Sequence, residues 1–167
     1  MESVTIRKAE TSERGAIIKM HLALQKHLEN SNSSIWRHTE EKRRVLKQQY
    51  AEQLVDENSL VLIAAVEAHV VGFLLATVSS RTEYVPSIVG TLSSVYVRRN
   101  YRRQGIGSQL IKEACRFFSL KQAEQIYVRY VLGNSEGEGF WKQLGFRPIL
   151  VTAGSPRNKI EDRIDSR

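Results

Sequence analysis

A chain of 167 residues, 41% of them hydrophobic and undivided by any Pro/Gly/Ser-rich linker, can bury one good core, so one domain is expected over residues 1–152 with a polar tail at 153–167. A net charge of +7 points to an anionic partner, and the single cysteine, Cys115, excludes an internal disulfide. The longest apolar run, residues 60–66, is strand-sized and the amino end lacks a basic start with an apolar run, so a cytoplasmic protein without a membrane partner is expected.

Residues 4–8 alternate like a strand. Ile17, His21, Leu24 and Leu28 mark one helix and Leu46, Tyr50 and Leu54 a second. Residues 60–67 and 70–79 read as a hairpin turning at Ala68-His69, and residues 91–97 as a further strand. A basic turn follows, carrying Arg98, Arg99, Arg102 and Arg103. Beyond it a helix over 108–120 shows Leu110, Ile111, Ala114, Phe117 and Phe118 on one face, with Cys115 expected in the core. A strand over 125–132, a helix over 135–144 and a strand over 146–151 complete the order. The segment from Ala153 to Lys159 is turn-like. Beyond it Ile160 and Ile164, four apart, either fray or form a short helix that docks on this or a second subunit.

The change of period at Gly105 and Gly107 places a helix start directly behind a strand. Free N–H groups and a partial positive charge make such a start a phosphate site. A Walker A loop is excluded, because no Gly-Lys-Ser/Thr triplet follows a first glycine at the required distance. A dinucleotide fingerprint needs a third glycine where Leu110 stands. The remaining pattern, Arg/Gln-x-x-Gly-x-Gly/Ala, is met by Arg102, Gly105 and Gly107. It resembles the pyrophosphate loop of the GNAT superfamily of acyl-CoA-dependent N-acyltransferases. A second stretch, Asn134-Ser135-Glu136-Gly137-Glu138-Gly139-Phe140-Trp141-Lys142-Gln143-Leu144-Gly145-Phe146, is similar to that superfamily's Asn-x-x-Ala-x-x-Phe-Tyr-x-x-x-Gly-Phe helix. Its physical reading agrees: Asn134 is a good N-cap and Gly145 a natural residue just past the helix end.

The resemblance, carried by residues 4–151, implies an α+β fold: an α/β/α sandwich with a mixed, mostly antiparallel sheet flanked by helices. It implies acetyl-CoA as co-substrate, no metal, and direct acetyl transfer to a primary amine in a ternary complex. Residues implied at the cofactor are Val95 and Val97 through their backbone, then Arg102, Arg103, Gln104, Gly105, Ile106, Gly107 and Ser108, then Asn134 and Trp141. An acceptor groove is implied between the first two helices, where Trp36 stands. The arginines fit an anionic cofactor better than nucleic acid. His21 reads as a core histidine, while His27, His38 and His69 lack a second ligand at metal spacing.

Two positions depart from the family pattern. Trp141 replaces the tyrosine that serves many members as a proton donor, and an indole cannot act as an acid. Leu92-Ser93-Ser94 stands where many carry a basic carboxylate. Glu83 and Tyr84, in the loop before that strand, are the expected substitutes, with Tyr96 and Tyr130 as further candidates. An acyl-CoA-binding protein without catalysis and a basic nucleic-acid-binding module remain as alternatives, and the state of assembly, monomer or homodimer, is open.

Overall fold

A computed structural model describes residues 3–35 and 37–166, so the expectation for Trp36 lies outside the described residues. Strands β1 (Val4–Lys8), β2 (Ser59–Val66), β3 (His69–Ser80) and β4 (Ile88–Val97) pair antiparallel in chain order. Strand β5 (Gln125–Val128) closes the sheet parallel to β4. Helices α1 (Arg14–Ser31) and α2 (Glu40–Gln53) cover one face, and α3 (Ile106–Leu120) and α4 (Ser135–Gln143) stand on the other.

Period-two alternation sorts the side chains between these layers. On β2, Val61, Ile63 and Ala65 meet Ile17, Met20, Leu46 and Tyr50 of the α1–α2 layer. Leu60, Leu62 and Ala64 join Leu110, Ala114 and Phe118 of α3. Burial on both faces is why residues 60–66 read as one continuous apolar run. Thr39 caps α2 by accepting from the Lys42 N–H at 3.2 Å. The sandwich and its mixed, mostly antiparallel sheet match the expected fold.

Several boundaries differ from expectation. The pair Val66↔His69 makes Glu67-Ala68 the turn of the hairpin, with Glu67 at φ 52°. Helix α3 begins at Ile106, two residues early, because Gly105 adopts φ 76° as its N-cap. Cys115 is exposed, since the inward face of α3 is filled by Leu110, Ile111, Ala114 and Phe118. No strand forms over 146–151. Phe146 is anchored against Trp141 with ring centroids 5.5 Å apart, Pro148 offers no N–H to a ladder, and Ile149, Leu150 and Val151 are exposed. The tail forms helix α5 (Arg157–Asp165), with Ile160 and Ile164 both exposed.

The most consequential difference lies between β4 and β5. A strand was expected over 125–132, but pairing ends at Leu92↔Val128, while β4 runs on through Val97. Just there the β3–β4 register slips: Leu75 faces Ser94, Ala76 faces Leu92, and Ser93 has no partner. The bulge bends β4 away from its neighbour and opens a gap in the sheet.

Gly90 of β4 holds α3 close to this gap. An added Cβ would fall 2.6 Å from two ring atoms of Phe118, which is 1% exposed. Gly90→Ala is expected to cost about 1–3 kcal/mol in a chemical-denaturation midpoint.

Candidate active site

The gap between β4 and β5 widens into a cleft of about 480 Å³. One wall is the end of β4, with Val95, Tyr96 and Val97; the opposite wall is α4 with its N-cap, and the floor is the start of α3. Residues 93–97 have β3 on one side and no strand on the other, so β4 presents open backbone there.

The glycine loop leads from β4 into α3. Arg103 at φ 62° and Gly105 at φ 76° sit in left-handed conformation around Gln104 and turn the chain into the helix. An arginine in that region carries strain that loop geometry must hold. The helical ladder begins with the Gln109 N–H on the Gly105 carbonyl at 3.0 Å, so the N–H groups of Ile106, Gly107 and Ser108 precede it. These N–H groups lie at the end of the cleft lined by Arg103, Gly105, Ile106, Gly107 and Ser108, where a helix start favours an anion.

Arg102 is a strut. Its Nε donates to the Val97 carbonyl at 3.0 Å, its Nη1 pairs with Glu136, and its guanidinium lies 5.7 Å from the Tyr96 ring centroid. It fastens the end of β4 to the first turn of α4. Gly107 serves packing as well as approach, because a Cβ there would meet Phe140 Cζ at 3.1 Å.

Helix α4 is capped by Asn134, whose Oδ1 accepts from the Gly137 N–H at 3.3 Å. The same oxygen lies 3.3 Å from His27 Nε2, and Asn32 Nδ2 donates to the Leu132 carbonyl at 2.9 Å. These bonds stitch the end of α1 to the loop before α4 across the mouth of the cleft. His27 itself lines the cleft with Leu24. The sequence reading considered His27 only as a metal ligand. Its place on the inward face of α1, seven residues beyond buried Met20, was the available signal.

The structure thus brings Val95, Val97, Arg102, Arg103, Gly105, Ile106, Gly107, Ser108 and Asn134 around one cleft, with Gln104 exposed at the loop's crest. Trp141 is 7% exposed and packed edge-on between Phe140 and Phe146, so Phe140 forms the cleft wall at that point. Glu83 and Tyr84 are exposed in the turn before Ile88, at the other end of β4. Seven residues of strand from Ile88 to Val95 put them on the order of 20 Å from the cleft. Tyr96 lines the cleft, and Tyr130 leans on the α3-side core. Among the described residues no group of three metal-ligating side chains occurs, and no helix is long and apolar enough to cross a membrane.

Behind β4, on the α1–α2 side, lies a polar cluster. Ser94 is 8% exposed, and the Tyr50 hydroxyl lies 2.9 Å from His21 Nδ1. The His21 ring stacks on His38 at 5.5 Å between centroids. Burial first, then the charges of His38 and Lys42, pull the His21 pKa down to about 4. Burial, chiefly, also raises that of Tyr50 and lowers that of His38.

A parallel strand pair that splays onto a glycine turn at a helix start is the architecture of the acyl-CoA-dependent N-acyltransferases. The chain belongs to the acetyltransferase (GNAT) family, whose model matches residues 22–146. An N-alpha-acetyltransferase of Sulfurisphaera tokodaii is 28% identical over 108 residues, spanning 61% of this chain and 65% of that protein, just under two thirds of its length. A transcriptional regulator from Bacillus halodurans superimposes with TM-score 0.71 at 22% identity, covering 92% of this chain and 99% of that one. An aminoglycoside N-acetyltransferase in complex with CoA gives TM-score 0.71 at 18% identity, covering 94% and 97%.

The histidine pair has a measurable signature. A histidine whose folded pKa lies below its unfolded value of 6.5 contributes stability that is full above pH 6.5 and lost as pH falls toward the folded value, about 4 for His21. Between pH 6.5 and 4.5 the unfolding free energy should therefore fall, by roughly 1–3 kcal/mol from His21 after allowing for its partial exposure. His21→Gln should flatten that part of the urea-denaturation profile.

Proposed function

We propose that the protein is an N-acetyltransferase that moves the acetyl group of acetyl-CoA to a primary amine by direct attack in a ternary complex. The observation that carries this reading is the cleft itself: open β4 backbone at one end, unladdered N–H groups of α3 at the other. A pantetheine arm has amides to pair with the first and a pyrophosphate has charge for the second. The donor set fits the group.

Residues 93–97 would bind the arm as an added strand, with the backbone of Val95 and Val97 as partners. The N–H groups of Ile106, Gly107 and Ser108 would hold the pyrophosphate, with Arg103 and Gln104 beside it. A backbone N–H aimed at the thioester oxygen would stabilise the oxyanion as the amine adds, an effect worth about 2.7–4 kcal/mol per donor elsewhere. The amine nitrogen bonds to the carbonyl carbon, the C–S bond breaks, and the thiolate leaves without a tyrosine to protonate it. Trp141 supports the arm's wall through Phe140. Cys115, exposed on the far face of α3, is no candidate for an acyl carrier, and alignment of amine and thioester is the enzyme's main contribution.

The similarity to an N-alpha-acetyltransferase makes a peptide α-amine the first acceptor to test, and that to an aminoglycoside acetyltransferase makes an aminoglycoside the second. A cytoplasmic site of action goes with this reading. A binder without catalysis is favoured by the absence of a carboxylate on β4 residues 93–97 and of a tyrosine where Trp141 stands, and release of free CoA thiol on adding an amine separates the two.

Ser108 gives a test free of folding artefacts. It is exposed at the third helical position of α3, where a carboxylate is favourable to the helix but repels a bound pyrophosphate. Ser108→Glu should weaken CoA binding at least about a hundredfold by calorimetry with thermal stability unchanged or raised. Unaltered affinity would sink the phosphate-site reading.

A further inference from the structure

The proposed reaction needs a group that takes a proton from the attacking amine, and β4 carries no carboxylate at the gap. We propose that His27 is this group: its Nδ1 accepts the proton as the amine adds to the thioester, while Asn134 holds the ring through Nε2. The inference rests on the acetyl-transfer reading and supplies the residue for its proton step.

The side chains of the cleft itself leave one candidate. Of the described residues that line it, those that ionise are His27 on α1, Tyr96 on β4, Tyr101, Arg102 and Arg103 in the turn after β4, and Glu136 on α4. A guanidinium has no lone pair to offer, and a phenol acts as a base only after losing its own proton. Glu136 is committed to Arg102, whose Nη1 lies 2.5 Å from its Oε2 in the strut between β4 and α4. His27 remains, and a neutral imidazole carries a lone pair on one ring nitrogen.

Hydrogen bonding decides which nitrogen that is. Asn134 Oδ1 accepts from the Gly137 N–H at 3.3 Å as the cap of α4, so the oxygen of this amide is the atom turned to its partners. The same oxygen lies 3.3 Å from His27 Nε2, which therefore carries the hydrogen and donates. The lone pair is then on Nδ1, which has no hydrogen-bond partner among the described residues. A base oriented through its second ring nitrogen is the arrangement by which an imidazole activates a nucleophile. The ring is half-buried and shares the cleft with Val95 and Val97, the residues that would pair with the arm. Helix α1 ends at Ser31, one turn past His27, and Asn32 Nδ2 ties that end to the Leu132 carbonyl at 2.9 Å. The imidazole is thus held from both sides.

The step balances as follows. The neutral amine donates its electron pair to the thioester carbon, and the carbonyl π pair moves to oxygen. The nitrogen, now positive, gives a proton to His27 Nδ1, and the ring becomes an imidazolium that still donates from Nε2 to Asn134. The oxygen pair re-forms the carbonyl and expels the thiolate, which takes a proton from water. His27 returns its Nδ1 proton to water and is ready for the next amine.

The test uses the full chain with acetyl-CoA and two probes, a peptide with a free α-amine and ethylamine, from about pH 6.5 to 9.5, the span over which the α-amine loses its proton. His27→Gln keeps a donor for Asn134 but offers no base, and should lower kcat/KM about a hundredfold at pH 7 with CoA affinity unchanged by calorimetry. The loss should shrink as pH rises and hydroxide takes over the proton. His27→Ala leaves a ring-sized space, and added imidazole should restore its activity in proportion to the concentration of neutral imidazole. A merely structural role would cut activity equally at every pH and give no response to imidazole. Either of those results, or wild-type rates in the variants, overturns the assignment of His27 and leaves acetyl transfer standing. Wild-type protein that binds CoA but acylates neither probe, or that binds none, overturns the acetyl-transfer reading and this inference with it.

Discussion

The parting of β4 from β5 governs everything else in this molecule. A parallel pair held together only from Val89↔Gln125 to Leu92↔Val128 leaves the last residues of β4 with one open edge inside the body of the protein. Backbone groups in such a place require partners. Closing the gap with more strand is prevented by the bulge at Ser93, which turns β4 off the plane of β5. The edge is thereby left open to pairing from outside the sheet.

The surrounding layers keep the gap open and give it ends. Arg102 ties the tip of β4 to α4, while Asn134, Asn32 and His27 tie α4 and its loop to α1. Phe140 rests on Gly107, so the spacing of α3 and α4 depends on the absence of one Cβ. Trp141, edge-on to both Phe140 and Phe146, fixes Phe140 from behind. These contacts explain why glycine and aromatic positions in the two motifs belong together: each motif supplies half of one interface.

The chemistry follows from the same geometry. In the proposed reaction a strand edge would orient an extended thioester and a helix start would neutralise its pyrophosphate, both tasks that backbone groups can perform. On the side of β4 facing away from α3 the only buried polar side chain in the described strand is Ser94, and the α1–α2 layer that covers this side holds the Tyr50 hydroxyl 2.9 Å from His21 Nδ1.

What the sequence determined by itself was local. The glycine turn, the Asn134 cap and the helical faces of α1 to α4 depend on residues within a turn or two of each other, and the alternation of residues 60–66 depends on nothing but the strand's own pleat. Tertiary structure decided the rest. Where β5 ends is set by a bulge on a strand more than thirty residues upstream, and Phe146–Val151 fails as a strand because Phe146 is claimed by Trp141 and Pro148 lacks a donor. Cys115 lies outward because four larger or better-placed neighbours fill the inward face of α3. Glu83 and Tyr84 stood close to the cleft in sequence order, yet a strand is long, and its two ends lie far apart in space. His21 and Tyr50 are 29 residues apart and His27 and Asn134 are 107 apart, and no periodicity within either element records such a meeting. Local pattern specifies which elements form and which way they face; only their packing specifies which side chains share a hydrogen bond.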